Sequence, residues 1–282
     1  TVTFLSGAQS VPVGIVVTEV YRGIIYVSPA GSDDNNGAVD SPVATIAHAI
    51  DLATATGGSG VVFLLNGTHT ISSELVLSKN INITSEGGAI VDGQNISSHI
   101  RVSGGTAHFI SNITFINGKS SSSSYGGSVY ATGSSASTTI TNCKFINNSH
   151  SAFIVKVNSG VLNIYDCEFI NNTVTASSGV ACIVDAYDDL NLNGSKFISN
   201  TVSSSGYATL VYIHYYPVNV SYCMFVDNDL TSTGSSALEI YKSSSNSAIY
   251  QNYNYWGTNT PGTANTNMDL NNWVILEITP DI

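Results

Sequence analysis

The chain has 282 residues, of which only 10% are charged, and 8 Lys and Arg face 19 Asp and Glu for a formal net charge of −11. That balance argues against binding nucleic acid, whose phosphates need clustered cations. No run of about 18 apolar residues is present to span a bilayer, and no basic start followed by an apolar stretch marks a signal peptide, which is expected to be absent or removed.

In chain order, residues 1–23 come first. They include "VPVGIVVTEVYRG", are apolar and strand-like, and are read as a cap strand or lead-in. Residues 24–59 form a capping region. Pro42 after Ser41 is a helix start, and Ile46, Ala49, Ile50 and Ala53 recur at helical spacing. This helix is expected to plug the N-terminal end of a strand stack, whose open edge and apolar interior would otherwise invite aggregation. Ahead of it, "SDDNNG" clusters Asp33, Asp34 and Asn36 before Gly37. It lacks the first Asp and the distal Glu of a calcium loop, so turn and helix lead-in is the plain reading, with calcium the one cofactor left open.

Residues 60–258 repeat a phrase. "ISNITFING", "ITNCKFINN", "IYDCEFINN", "LNGSKFISN" and "VSYCMFVDN" align on Phe115, Phe145, Phe169, Phe197 and Phe225, at steps of 30, 24, 28 and 28 residues. A period of this size points to a repeat architecture. The phrase alternates apolar and polar residues with a bend near its middle, as a half-buried strand does. A second strand precedes each copy. One such coil cannot bury its own face, whereas stacked coils can. The fold class is therefore all-β: a right-handed parallel β-helix with a short N-terminal capping helix. Asn148, Asn172, Asn200 and Asn228 close the phrase. They are expected to turn the corner with left-handed backbone angles and to hydrogen-bond to one another, while the Phe side chains stack inside.

The preceding strand is oriented with Val129, Phe153, Cys182, Leu210 and Leu238 inward. Its outward rows then read Tyr130, Ile154, Ile183, Val211 and Glu239, and Thr132, Lys156, Asp185, Ile213 and Tyr241. A solvent face should not carry so many Ile and Val, so the stripe is a binding groove, a surface covered by another segment, or mere strand propensity. If open, it offers Ile183, Asp185, Tyr187, Val211, Ile213, Tyr215, Tyr216 and Tyr241 to a ligand, with His214 beside them. For catalysis the sequence offers "VDAYDDL", with Asp185, Asp188 and Asp189 as weak carboxylate candidates. Asp188 and Asp189 also suit a turn.

Cys143, Cys167 and Cys223 share one inward position, read as small apolar packing, with a Cys143–Cys167 disulfide left open. Sequons are dense, at Asn66, Asn82, Asn95, Asn112, Asn147, Asn171, Asn193 and Asn219. They fit a surface glycoprotein. The stack closes in "IYQNYNYWGTNTPG", and residues 259–282 are read as a C-terminal cap and lead-out to a following domain.

The opening "IYVSPAGSDDNNGAVDSPVATIAHAI", the "LLNGTHTI" turn, the "NCKFINN" repeats and the closing "NYNYWGTNTPG" together resemble archaeal adhesin-like proteins. These are surface proteins of methanogens with pectin-lyase-like β-helix modules. The resemblance covers about residues 24–278. It implies an extracellular, cell-surface location and attachment to a glycan or protein of another organism, with immunoglobulin-like repeats after this stretch. The expectation is thus a non-catalytic adhesin module. The alternatives are a polysaccharide hydrolase or lyase on the same fold and a purely structural stalk.

Overall fold

The computed structural model describes residues 23–55, 59–105, 107–120, 127–132, 137–215, 217–244, 249–258, 261, 265–266 and 272–275. The expected lead-in over residues 1–22 and most of the expected C-terminal cap lie outside them. The described chain is a parallel β-helix of the pectin-lyase-like kind, with one helix, Ile46–Ala55.

Each coil has three faces. The first is a seven-stranded sheet that includes Ile100–Val102, Val129–Ala131, Phe153–Val157, Val180–Ala186, Tyr207–Ile213 and Ser236–Lys242. The second is a sheet bent along its length, with Leu162–Tyr165 before the bend and Glu168–Ile170 after it in one representative coil. The third is five-stranded and includes Ser149–His150, Thr173–Ala176 and Thr201–Ser204. Among the described residues, every pairing between strands of successive coils is parallel, as Phe145 against Phe169 and Phe169 against Phe197 illustrate.

The corners explain much of the polar sequence. At the bend of the second face, Asn112, Asn142, Asp166 and Gly194 hold φ between 52° and 64°. Asn, Asp and Gly tolerate that region at least cost. The next corner uses Asn117, Asn147, Asn171, Ser199 and Asp227, again with positive φ. The left-handed residue is therefore the one before Asn148, Asn172, Asn200 and Asn228, which corrects the expectation for those four. They turn into the coil instead. Asn148 donates through Nδ2 to Asn172 Oδ1 at 3.0 Å, Asn172 to Asn200 at 3.0 Å and Asn200 to Asn228 at 2.9 Å. Each amide also donates to the carbonyl of a Phe in the preceding coil, as Asn172 does to Phe145 at 2.8 Å. Burial of these amides is tolerated because their donors and acceptors are used.

Inside, Phe115, Phe145, Phe169, Phe197 and Phe225 stack with ring centroids 5.2, 5.0, 4.8 and 5.1 Å apart, and Trp256 continues the column 5.0 Å beyond Phe225. Cys143, Cys167 and Cys223 are buried free thiols. Desolvation pushes Cys143 and Cys223 up to about 12. Ile46, Ala49, Ile50 and Ala53 of the helix join the same core.

Ahead of the helix, Asp33 is committed to backbone. Its Oδ1 accepts from the amides of Ala44 and Thr45, both at 2.9 Å, and its Oδ2 from the Thr45 hydroxyl at 2.8 Å. Burial raises its pKa, but these hydrogen bonds outweigh that and hold the carboxyl below its ordinary value. Asn36 Oδ1 accepts from the Ala38 amide, and the Asp34 amide bonds to the Ser32 hydroxyl. The cluster builds the turn that leads into the helix.

Candidate active site

Register along the first face sets Arg101, Tyr130, Lys156, Asp185, Tyr212 and Tyr241 in one row. Within a strand the alternation breaks once. Ile154 and Val155 both enter the main core, as do Ile183 and Val184, and Leu210 and Val211. Two inward residues in succession act as a bulge does, reversing which face every later residue meets. The expected outward stripe is therefore wrong in its Ile and Val members, whereas Tyr130, Lys156, Asp185 and Tyr241 do lie on the outer side. Ile183, Val211 and Ile213 are fully buried in the core, together with Ile154. Phe153 and Cys182, expected inward, pack on the outside in a second cluster with Tyr130, Ala152 and Tyr212.

A cleft of about 560 Å³ opens beside this row. Thr175, Ala176, Ser177 and Ser178, which lead into the face, line one side, and Tyr187 and His214, which leave it, line the other. Between them stand Phe153, Lys156 and Asp185. Asp185 is 4% exposed and carries both ends of the constellation. Lys156 donates to its Oδ2 at 2.7 Å from the preceding coil, and His214 Nε2 meets its Oδ1 at 2.8 Å from the following one. A buried carboxylate is tolerated only when paired in this way. The His214 ring stacks on Tyr187 at 3.6 Å and meets Tyr212 edge-on at 4.7 Å. The Lys156 ammonium lies 4.9 Å from the Phe153 ring centre and 5.0 Å from that of Tyr187. Burial lowers the pKa of Lys156, but the charge of Asp185 and its hydrogen bond more than reverse this and leave the ammonium above its ordinary value. Lys156 thus stays protonated at neutral pH.

Of the residues singled out from sequence, Asp185 and Tyr187 come together here. Tyr241 lies beside the cleft, 5.5 Å from Tyr212 and 4.5 Å from Tyr207 between ring centres. Tyr215 is exposed, with its ring 5.9 Å from His214. Tyr216 lies outside the described residues. Asp188 and Asp189 do not enter the cleft: Asp188 Oδ2 accepts the Gly160 amide at 2.7 Å, and the Asp189 carbonyl accepts from Leu162. They hold the turn between the first and second faces. Sequence reasoning set Lys156 beside Asp185 in one outward row, as the register does, and placed His214 at the rim, but paired neither with Asp185. Counting back from the Phe of each coil does not join them, since Lys156, Asp185 and His214 stand thirteen, twelve and eleven residues before it.

No family model matches the chain. Over 56 residues the chain is 45% identical to a pectate lyase of Emericella nidulans, a stretch that makes up 20% of this chain and 13% of that relative. Among solved structures, a rhamnogalacturonan lyase superposes over 83% of this chain and 62% of its own, with a TM-score of 0.50 and 14% identity, a likeness of fold. A pectin methylesterase of Aspergillus niger aligns over 92% of both chains with a TM-score of 0.38 and 12% identity. The chain thus spans 13% of the curated relative and less than two thirds of the lyase structure. The stretch shared with the pectate lyase overturns the expectation of a non-catalytic adhesin and the reading that the chain is no enzyme: the sequence likeness leads to a polysaccharide-cleaving protein.

Proposed function

We propose that the chain is a carbohydrate-active module that cleaves an acidic polysaccharide by elimination in the Asp185 cleft. The observation that carries this reading is the buried Lys156–Asp185–His214 constellation, with one carboxylate between two basic groups at the side of an open cleft. The stretch shared with a pectate lyase supports it.

The geometry assigns roles. With Nε2 donating to Asp185, Nδ1 is the basic atom of the His214 ring. Asp185 fixes the tautomer and stabilises the imidazolium once a proton arrives. Nδ1 takes the proton α to the carboxylate of a uronate ring. The electron pair left on carbon forms a double bond as the glycosidic C–O bond breaks, and the departing oxygen takes a proton from water, whose hydroxide is neutralised by the His214 imidazolium. Lys156 supplies positive charge where the substrate carboxylate gains electron density. Tyr187, half-buried at the side of the cleft and stacked on His214 by one face, is the aromatic ring within reach of the sugar, whereas Phe153 is buried. Hydrolysis by two carboxylates needs a second acid at a set separation, and among the described residues Asp185 is the single carboxylate lining the cleft. The cleft does not suit calcium either. That ion takes six to eight oxygens, usually several of them carboxylate, whereas both oxygens of Asp185 are already paired.

Incubation with polygalacturonate and rhamnogalacturonan should release ultraviolet-absorbing unsaturated ends. His214→Ala should lower the rate by roughly 10²–10⁴-fold, and Asp185→Asn by a similar factor through the wrong tautomer. Reducing ends without unsaturation would establish hydrolysis instead. Product formation unchanged in both variants would remove the cleft from the chemistry.

A further inference from the structure

The corner at the bend of the second face changes character in its last coils. Asn112, Asn142, Asp166 and Gly194 are followed there by Tyr222 and Tyr253, both with φ of 57°. A bulky side chain in the left-handed region is strained, and such strain persists where something else requires the residue. Burial does not supply the reason: Tyr222 is 60% exposed and Tyr253 46%. Their rings nonetheless stack on each other, with centroids 5.2 Å apart and planes 23° from parallel. Tyr250, 61% exposed, stands on the adjoining strand Ile249–Asn252. Amides and hydroxyls border them, with Asp166 two coils back in the same corner. Ser221 donates to Asn219 Oδ1 at 2.7 Å, and Asn272 Nδ2 to Asn252 Oδ1 at 3.2 Å. Upstream on the same face, Asn191 donates to Asn163 at 2.9 Å.

We propose that Tyr222, Tyr253 and Tyr250 form a second carbohydrate-binding ridge, separate from the cleft, which holds a polysaccharide chain by stacking on its sugar rings. The ligand chemistry follows from the surface. A pyranose presents a C–H face to an aromatic ring and hydroxyls around its edge, matching tyrosines bordered by amides and hydroxyls. A net charge of −11 disfavours every polyanion, nucleic acid and fully ionised polygalacturonate alike, so the ridge is expected to favour the neutral sugars of a polysaccharide, which the galactan and rhamnogalacturonan gels test. The strand half of the second face lies between the ridge and the cleft side, so a long polymer can be held on one while it is cut in the other. The proposal rests on the reading that the chain acts on polysaccharide.

The test separates the two. Tyr222→Asn and Tyr253→Asn restore the residue type found earlier in the same corner, so the double variant should fold with an equal or higher melting temperature. Native gels cast with polygalacturonate, with rhamnogalacturonan and with neutral galactan measure binding, using His214→Ala as the background so that the gel is not digested. The double variant should bind the retarding polymer on the order of tenfold more weakly. In the parent protein it should leave cleavage of short soluble oligosaccharides unchanged. Retardation equal to that of the unsubstituted protein would overturn the ridge, as would a fall in melting temperature that accompanies the loss. If no substrate is cleaved at all, the cleft reading fails while the gels still decide the ridge.

Discussion

Phe169→Ala is expected to lower the unfolding free energy by about 3–5 kcal/mol. The ring is fully buried between Phe145 at 5.0 Å and Phe197 at 4.8 Å, so its removal strips contacts from two neighbours at once. The surroundings cannot collapse into the gap. Parallel pairing on both sides fixes the strand, and the Phe169 carbonyl is held by Asn200 Nδ2 at 2.9 Å. Because a solenoid is joined only through nearest neighbours, a hole in a middle coil weakens both interfaces it belongs to. Urea titration reads the effect directly. A broadened transition or a reduced slope would show the two halves melting separately. A loss below about 1 kcal/mol, the range of an ordinary surface change, would contradict the stacked interior.

Acid should destabilise the first coils more than the last. His150 faces inward in line with Ser120, Val174, Val202 and Leu230, and the buried ring of His99 packs against Phe115 with centroids 5.2 Å apart. Burial is the main cause of depressed pKa values in both: His99 falls to about 4, and His150, also repelled by His99, to about 3. The unfolded chain takes up these protons near pH 6.5 and the folded chain does not. Stability is therefore fully present above pH 6.5 and drains away as the pH falls toward 4 for His99 and 3 for His150. Each contributes a loss on the order of 3 kcal/mol. Glu239 opposes this, because burial pushes its carboxyl up to about 7. Its contribution is present below pH 4.5 and is lost as the pH rises to 7. Thermal melts from pH 7 to pH 4 should show a net fall, and His150→Val, which installs the residue of the later coils, should flatten it. An unchanged slope in that variant would place the acid sensitivity elsewhere.

The repeated phrase was legible because the axis makes the same demand at every turn. Phe at one position and Asn three residues later recur at nearly fixed spacing, and the structure stacks both. The preceding strand was not legible, for a reason visible in two numbers. Asp185 stands twelve residues before Phe197, whereas Lys156 stands thirteen before Phe169. A turn shorter by one residue reverses inside and outside in a two-residue period. The double inward step at Ile183 and Val184 reverses it again within the strand. Asp185 was noticed as a charge, but its partners lie in neighbouring coils, one 29 residues before it and the other 29 after. Only the register brings Lys156 and His214 to it. Of the corner tyrosines, Tyr253 was legible merely as part of an aromatic ending and Tyr222 as one letter of the repeated phrase, since the stress in their backbone has no trace in composition.

The asparagine ladder also has a mechanical meaning. Its hydrogen bonds run from coil to coil, parallel to the axis, as do those between the paired strands. A pull applied to the two ends along that axis loads them lengthwise, one interface at a time, instead of sharing the load across many bonds in shear. The molecule should therefore peel and not snap. Successive Phe positions are 24 to 30 residues apart, and an extended chain spans at most about 3.3–3.6 Å per residue. A tethered molecule would lengthen in steps of roughly 80–105 Å at low force. The coils would act as a series of small yielding links between whatever holds each end.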